Sequence, residues 1–162
     1  MSKVAEKIAE MELVLPAALQ PPAGLVLPFP WVNVRGETVY VSGHGPQNED
    51  GSVAGPFGQV GGEVSLDDAV DLARKAAVAM LASLQRELGD LDRITAWNRV
   101  FGMVNTAPGF DKQPLVINGF SELILEVFGP EVGRHARSAI GMAGLPFSMA
   151  VEIEAELTID AT

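Results

Sequence analysis

At 162 residues with a hydrophobic share of 48%, the chain has the size and composition of one domain around one packed core. It contains no cysteine, which excludes disulfides, thiolate nucleophiles, zinc–cysteine sites and iron–sulfur clusters. A formal net charge of −10, from 11 Lys and Arg against 21 Asp and Glu, repels a polyanion, so no nucleic-acid partner is expected.

Charges at Lys3, Glu6, Lys7 and Glu10 break any apolar run that a secretory signal would need, and no stretch approaches the ~20 apolar residues of a membrane span. A cytoplasmic protein without membrane contact is the expectation. Residues 4–13 read as a short amphipathic helix with Val4, Ile8 and Met11 on one face. Five prolines between residues 16 and 30 forbid a regular helix and favour an extended lead-in. Residues 1–22 are therefore read as an N-terminal appendage and residues 23–162 as the single domain.

Glu37–Ser42 alternates polar and apolar residues as a strand does, ending at Gly43. The glycine-rich stretch 44–64 carries an Asp50-Gly51 turn signal, which suggests a hairpin with a short second strand and then a surface loop. Ser65 followed by Asp68 resembles a capping box, and Ala69, Leu72, Ala76, Met80 and Leu84 give helical spacing up to about Leu88, with Gly89 as the stop. Arg93–Val104 reads as a strand, Asp111–Phe128 as a helix ended by Gly129-Pro130, and Arg137–Ala143 and Met149–Ile159 as two closing strands. The order β, β, α, β, α, β, β gives an α+β fold with two helices on one face of a mixed sheet. The other face is expected to be apolar and to need partners, and three copies closing a central barrel-like core would satisfy it and create clefts between subunits.

Arg137 starts a strand just after a loop, where a guanidinium can grip a carboxylate through paired hydrogen bonds, or form an ordinary surface ion pair. In the last strand Glu152, Glu154 and Glu156 share one face. Such a stripe is a solvated or subunit-facing surface, or it offers one carboxylate near Arg137 for proton transfer. No metal site is expected from it, for want of a further ligand. Ser42 and Asn118 are either pocket groups or locally satisfied polar residues. His44 and His135 are the only histidines and read as solvated loop residues, although His135 stands two positions from Arg137. The glycines at 55, 58, 61 and 62 lack the Lys-Ser/Thr of a phosphate loop, so a flexible lid is the reading there.

The segments VYVSGHGP (39–46), VINGFSELILEVFG (116–129) and ARSAIGMAGLP followed by VEIEAEL (136–157) resemble the Rid (YjgF-like) family, also labelled endoribonuclease L-PSP, across roughly residues 27–158. That resemblance implies a chorismate-mutase-like fold, a homotrimer with intersubunit sites, and an enamine/imine deaminase. Such an enzyme hydrolyses small 2-imino or 2-aminoacrylate-like acids to 2-keto acids and ammonia without a cofactor. It also implies that Arg137 holds the substrate carboxylate, that Glu152 handles water and protons, and that Ser42 and Asn118 are accessory pocket positions. Two positions depart from the deaminating members: Phe29 stands where they carry a tyrosine, and Ala139 where they carry a pocket cysteine. A carboxylate-binding or regulatory trimer without catalysis is the alternative, and an endoribonuclease is disfavoured by the acidic charge.

Overall fold

The computed structural model describes residues 2–161. Eight elements follow one another: α1 (Lys3–Glu10), β1 (Val32–Arg35), β2 (Thr38–His44), α2 (Leu66–Leu88), β3 (Ile94–Asn105), α3 (Gln113–Val132), β4 (Ala136–Met142) and β5 (Val151–Ile159). The strands form one sheet in the order β1-β2-β5-β3-β4. Every neighbouring pair is antiparallel except β3 and β4, which run parallel because α3 crosses over between them.

Alternation along β5 sets the layers. Val151, Ile153, Ala155, Leu157 and Ile159 are buried against the helices, together with Val39 and Val41 of β2 and Val100 and Val104 of β3. On α2 the side chains of Leu72, Ala76, Met80 and Leu84 are buried, and α3 adds Ile117, Phe120, Leu123 and Ile124. The two helices touch so closely that a Cβ at Gly119 would overlap the Val70 carbonyl oxygen, which is why only glycine fits there. Trp97 lies in this layer, edge-on to Phe120 at 6.0 Å.

The expected helices and closing strands are present, but the first hairpin is displaced. Glu37–Ser42 finds its partner upstream in Val32–Arg35, across a two-residue turn in which Gly36 adopts φ +61. The expected downstream strand reduces to a single bridge, Gln47 with Val53, around the Asp50-Gly51 turn. At Gly129 the chain leaves helical geometry (φ 74, ψ 171), so the main helix of α3 ends there as expected, and Pro130 opens a separate short turn that runs to Val132. The N-terminal helix is no loose appendage either: Val4 and Ile8 join the hydrophobic core, and the Asp92 carboxylate accepts from the amides of Lys3 and Val4, each at 2.8 Å.

The sheet face away from the helices is not the apolar surface expected. Tyr40, Phe101 and Ile140 do lie there, but Arg99, Glu154 and Glu156 are interspersed among them, because β5 alternates glutamate with its core residues. Among the described residues no helix is long and apolar enough to cross a membrane.

Candidate functional site

Strand β2 carries one extra residue relative to β5 between Val41, which pairs with Ala155, and His44, which pairs with Ile153. Strict alternation from Val41 would turn His44 to the open face; this bulge turns it into the core instead. There the Nδ1–H donates to the Ser42 carbonyl oxygen at 2.6 Å, which leaves Nε2 as acceptor for the Ser83 hydroxyl at 2.9 Å. Ser83 Oγ in turn accepts from Arg86 Nη2 at 3.1 Å. Burial holds the His44 imidazole down at about 4, with nearby Arg86 reinforcing the shift. It is a neutral structural group, not the solvated loop histidine expected from the sequence.

The same bulge places Ser42 and Gly43 beside Glu152. A Cβ at Gly43 would stand 2.8 Å from Glu152 Oε1, so the carboxyl rests directly over the glycine. No side-chain hydrogen bond reaches Glu152 from the described residues. Burial, and secondarily the charge of Glu154, raises its carboxyl above the ordinary value. The carboxyl opens into a cleft of about 540 Å³ whose walls include Phe29, Trp31, Ser42, His44, Phe147 and Met149. Within it Phe29 packs edge-on against Trp31 at 5.5 Å. The Ser42 hydroxyl is engaged with the backbone, donating to the Pro30 carbonyl oxygen at 2.8 Å. Gln47, at the cleft wall, has a buried side-chain oxygen without a partner among the described residues.

Arg137 belongs to a different constellation. Its Nη1 donates to Ser121 Oγ at 2.9 Å, and its Nη2 donates to Asn118 Oδ1 at 2.7 Å and to the Pro114 carbonyl oxygen at 3.0 Å. All three acceptors are neutral and all lie on α3, so the surface ion pair considered from the sequence does not occur among the described residues. A guanidinium has five N–H donors, so about two remain for an incoming anion. His135 completes the group: its Nδ1–H donates to the Gly133 carbonyl oxygen at 2.7 Å, and its Nε2 accepts from the Ser121 hydroxyl at 2.9 Å. Burial lowers its imidazole, and the Arg137 charge acts in the same direction. His135 is therefore a half-buried neighbour of Arg137 that fixes the Ser121 hydroxyl. Asn118 is a positioning group for Arg137.

Pairing along the sheet explains why the two constellations are apart. Glu152 is level with Met103 and Ile140 on the open face, whereas Arg137 is level with Val100 and Ala155 on the helix face. The expected site residues thus divide into Glu152, Ser42 and Phe29 in one cleft and Arg137 with Asn118 on α3. Ala139 follows Arg137 on the helix face and is partly buried against the core. Among the described residues no group of three His, Asp or Glu side chains is arranged to hold a metal ion. Ser121 and Gln47 were not singled out from the sequence; only the three- and seven-residue spacing from Asn118 and Pro114 on α3 could have pointed to Ser121.

Residues 22–154 match the family described as "YjgF/chorismate mutase-like, putative endoribonuclease". Protein TCP17 of Trypanosoma cruzi is 40% identical over 153 residues, covering 94% of this chain and 92% of TCP17. Among solved structures, Atu1372 of Agrobacterium tumefaciens is similar with a TM-score of 0.84 at 39% identity, covering 98% of this chain and 93% of its own. RidA from an Antarctic Psychrobacter has the same fold at 21% identity with a TM-score of 0.55, covering 90% and 94% of the two chains. A family match over most of the chain, joined to the sheet order and the Arg137 and Glu152 motifs in their expected strands, places this protein in the YjgF/chorismate mutase-like family.

Proposed function

We propose that this protein is an imine deaminase whose site is completed between copies of the chain in a homotrimer, where Arg137 of one copy meets the Glu152 cleft of the next. The observation that carries this reading is the complementary incompleteness of the two halves. The Glu152 cleft has no Lys or Arg in its lining, so by itself it has nothing to hold a carboxylate. Arg137 donates to neutral acceptors only and forms no ion pair among the described residues, with Glu122 the one carboxylate near enough to favour its charge. The two lie on opposite faces of one sheet, and a single chain cannot bring them together.

The chemistry follows from those groups. Arg137 fixes the carboxylate of a 2-imino acid, which orients its iminium carbon. Glu152, a carboxyl shifted toward working pH, takes a proton as a water oxygen bonds to that carbon. It returns that proton to nitrogen, then accepts the carbinol hydroxyl proton as the carbon–nitrogen bond breaks and the carbonyl forms, and passes it to the departing ammonia, leaving a 2-keto acid and ammonium. No redox change occurs, and the electrophile is the substrate's own iminium.

A second reading, a trimer that binds carboxylates without catalysis, is favoured by Phe29, which has no hydroxyl, and by Ser42, whose hydroxyl is already engaged with Pro30. Generating imino acids in situ with a separate oxidase, and following their decay with wild type and Arg137→Ala, separates the two. Accelerated decay that disappears in the variant is the expected result. Binding of keto acids without any acceleration establishes the second reading. RNA left intact by the purified protein removes the endoribonuclease suggested by the family description, as the net charge of −10 leads one to expect.

A further inference from the structure

The cleft is larger than the chemistry at Glu152 requires. Its volume of about 540 Å³ falls within the ~300–1,000 Å³ of pockets that enclose drug-sized ligands, and a pyruvate-sized imino acid fills a small part of it. The remaining space lies against apolar groups: Leu19, Leu25 and Leu27 of the proline-rich segment, with Phe29, Phe147 and Met149. Its only ionisable side chains are Glu152, Glu154 and His44.

The segment that supplies this wall is tied at both ends. Arg86 Nη1 donates to the Pro16 carbonyl oxygen at 3.0 Å, and the Ala17 amide donates to the Glu49 carbonyl oxygen at 2.9 Å. At the far end the Ser42 hydroxyl and amide hold the carbonyl oxygens of Pro30 and Trp31. Between these ties Pro21, Pro22 and Pro28 restrict the backbone, and the Leu25 amide closes a turn on the Pro22 carbonyl oxygen at 3.0 Å. Leu25 remains 42% exposed and Phe147 54% exposed, although both face the cleft. Phe147 also sits at φ 56, a left-handed conformation costly for a residue with a Cβ. Apolar side chains held half in water around a cleft lose that exposure when a ligand's apolar group fills it.

Resting on the reading of this cleft as the substrate site, we infer that the proline-rich segment and Phe147 form a specificity wall. The substrates it selects are 2-imino acids with large apolar side chains, aliphatic or aromatic, in preference to pyruvate-sized ones. The wall is continuous with Glu152, so we assign the substrate's own side chain to it, the neighbouring copy contributing Arg137 at the Glu152 end.

Calorimetric titration of the full-length protein with the corresponding 2-keto acids tests this without requiring turnover. Phenylpyruvate and 4-methyl-2-oxopentanoate are expected to bind at least about tenfold more tightly than pyruvate, since one buried methylene alone is worth about that much in an apolar pocket. Leu25→Ser and Phe147→Ala, both at half-exposed positions that spare the fold, are expected to reduce that ratio by about threefold or more. Equal affinities, no binding of any keto acid, or a preference that both variants leave unchanged would overturn the inference; the last outcome would mean that a neighbouring copy covers the wall. The outcomes separate this from the deaminase proposal. A bulky-acid preference without imine hydrolysis sinks the catalytic reading alone, and turnover confined to pyruvate-sized imines sinks the wall alone.

Discussion

His44 gives the fold a pH dependence that can be worked out from its surroundings. Its imidazole is depressed from 6.5 to about 4, chiefly by burial, while its two nitrogens are occupied by the Ser42 carbonyl and the Ser83 hydroxyl. The unfolded chain therefore binds one more proton than the folded one between those values, and stability falls as pH drops through that window. The contribution is complete above pH 6.5 and lost as pH approaches 4. A gap of about 2.5 units at ~1.36 kcal/mol per unit corresponds to about 3 kcal/mol. Urea unfolding at fixed protein concentration from pH 7 to pH 4, followed by the fluorescence of Trp31 and Trp97, measures the slope. Carboxylates also titrate at the acid end, so the informative quantity is the difference from His44→Gln, which removes the titrating group. The variant is expected to lose about one proton's worth of slope between pH 6.5 and 4. Parallel slopes in the two proteins, or an imidazole titrating near 6.5 by NMR, would refute the argument.

Glu152→Gln is expected to lower kcat/KM for imine hydrolysis by about 10²–10⁴-fold. In the wild type, activity should fall as pH drops through the raised value of this carboxyl, because the base must be ionised, and the variant should lose that acid limb. Folding shifts the carboxyl upward, so its ionised form costs stability at neutral pH, and the same variant should melt higher at pH 7, with the gain shrinking in acid. Gly43→Ala places a methyl 2.8 Å from Glu152 Oε1, the free end of a flexible side chain. Displacement of the carboxyl by about 1 Å should cost about 10²-fold in kcat, with the melting temperature nearly unchanged. Gly119→Ala drives a methyl into the Val70 carbonyl, where backbone meets backbone, and should destabilise by about 3 kcal/mol or more in denaturant titration. Arg137→Lys cannot satisfy the Ser121, Asn118 and Pro114 acceptors with one ammonium in the same geometry, and keto-acid titration should find no recovery of affinity relative to Arg137→Ala.

Much of the fold was legible where one periodicity dominates. The clean alternation from Val151 to Ile159 and the three-and-four spacing on α2 each follow from burying one face of one element. The first hairpin was misplaced because Val32–Arg35 is only four residues long and follows a proline-rich stretch, while the Asp50-Gly51 turn signal is a real turn that closes only one bridge. His44 was misread because the strand was ended at Gly43 and the histidine given to the loop, whereas β2 runs through His44 and one extra residue, which no local pattern announces, turns its side chain into the core. Arg137 and Glu152 were singled out by residue type and motif. Their separation was not legible, since it depends on β3 lying between β4 and β5 and on the two residues facing opposite sides of the sheet.

The most direct test of a site shared between copies is complementation. Arg137→Ala and Glu152→Gln, each inactive alone, are unfolded together, refolded as a mixture and assayed for imine hydrolysis, with mixed trimers verified by native mass spectrometry. Random assembly of a cyclic trimer gives about one site in four an intact arginine from one copy and an intact glutamate from the next. Recovery of about a quarter of the wild-type rate is the predicted result; mixed trimers with no activity above that of either variant would contradict the account.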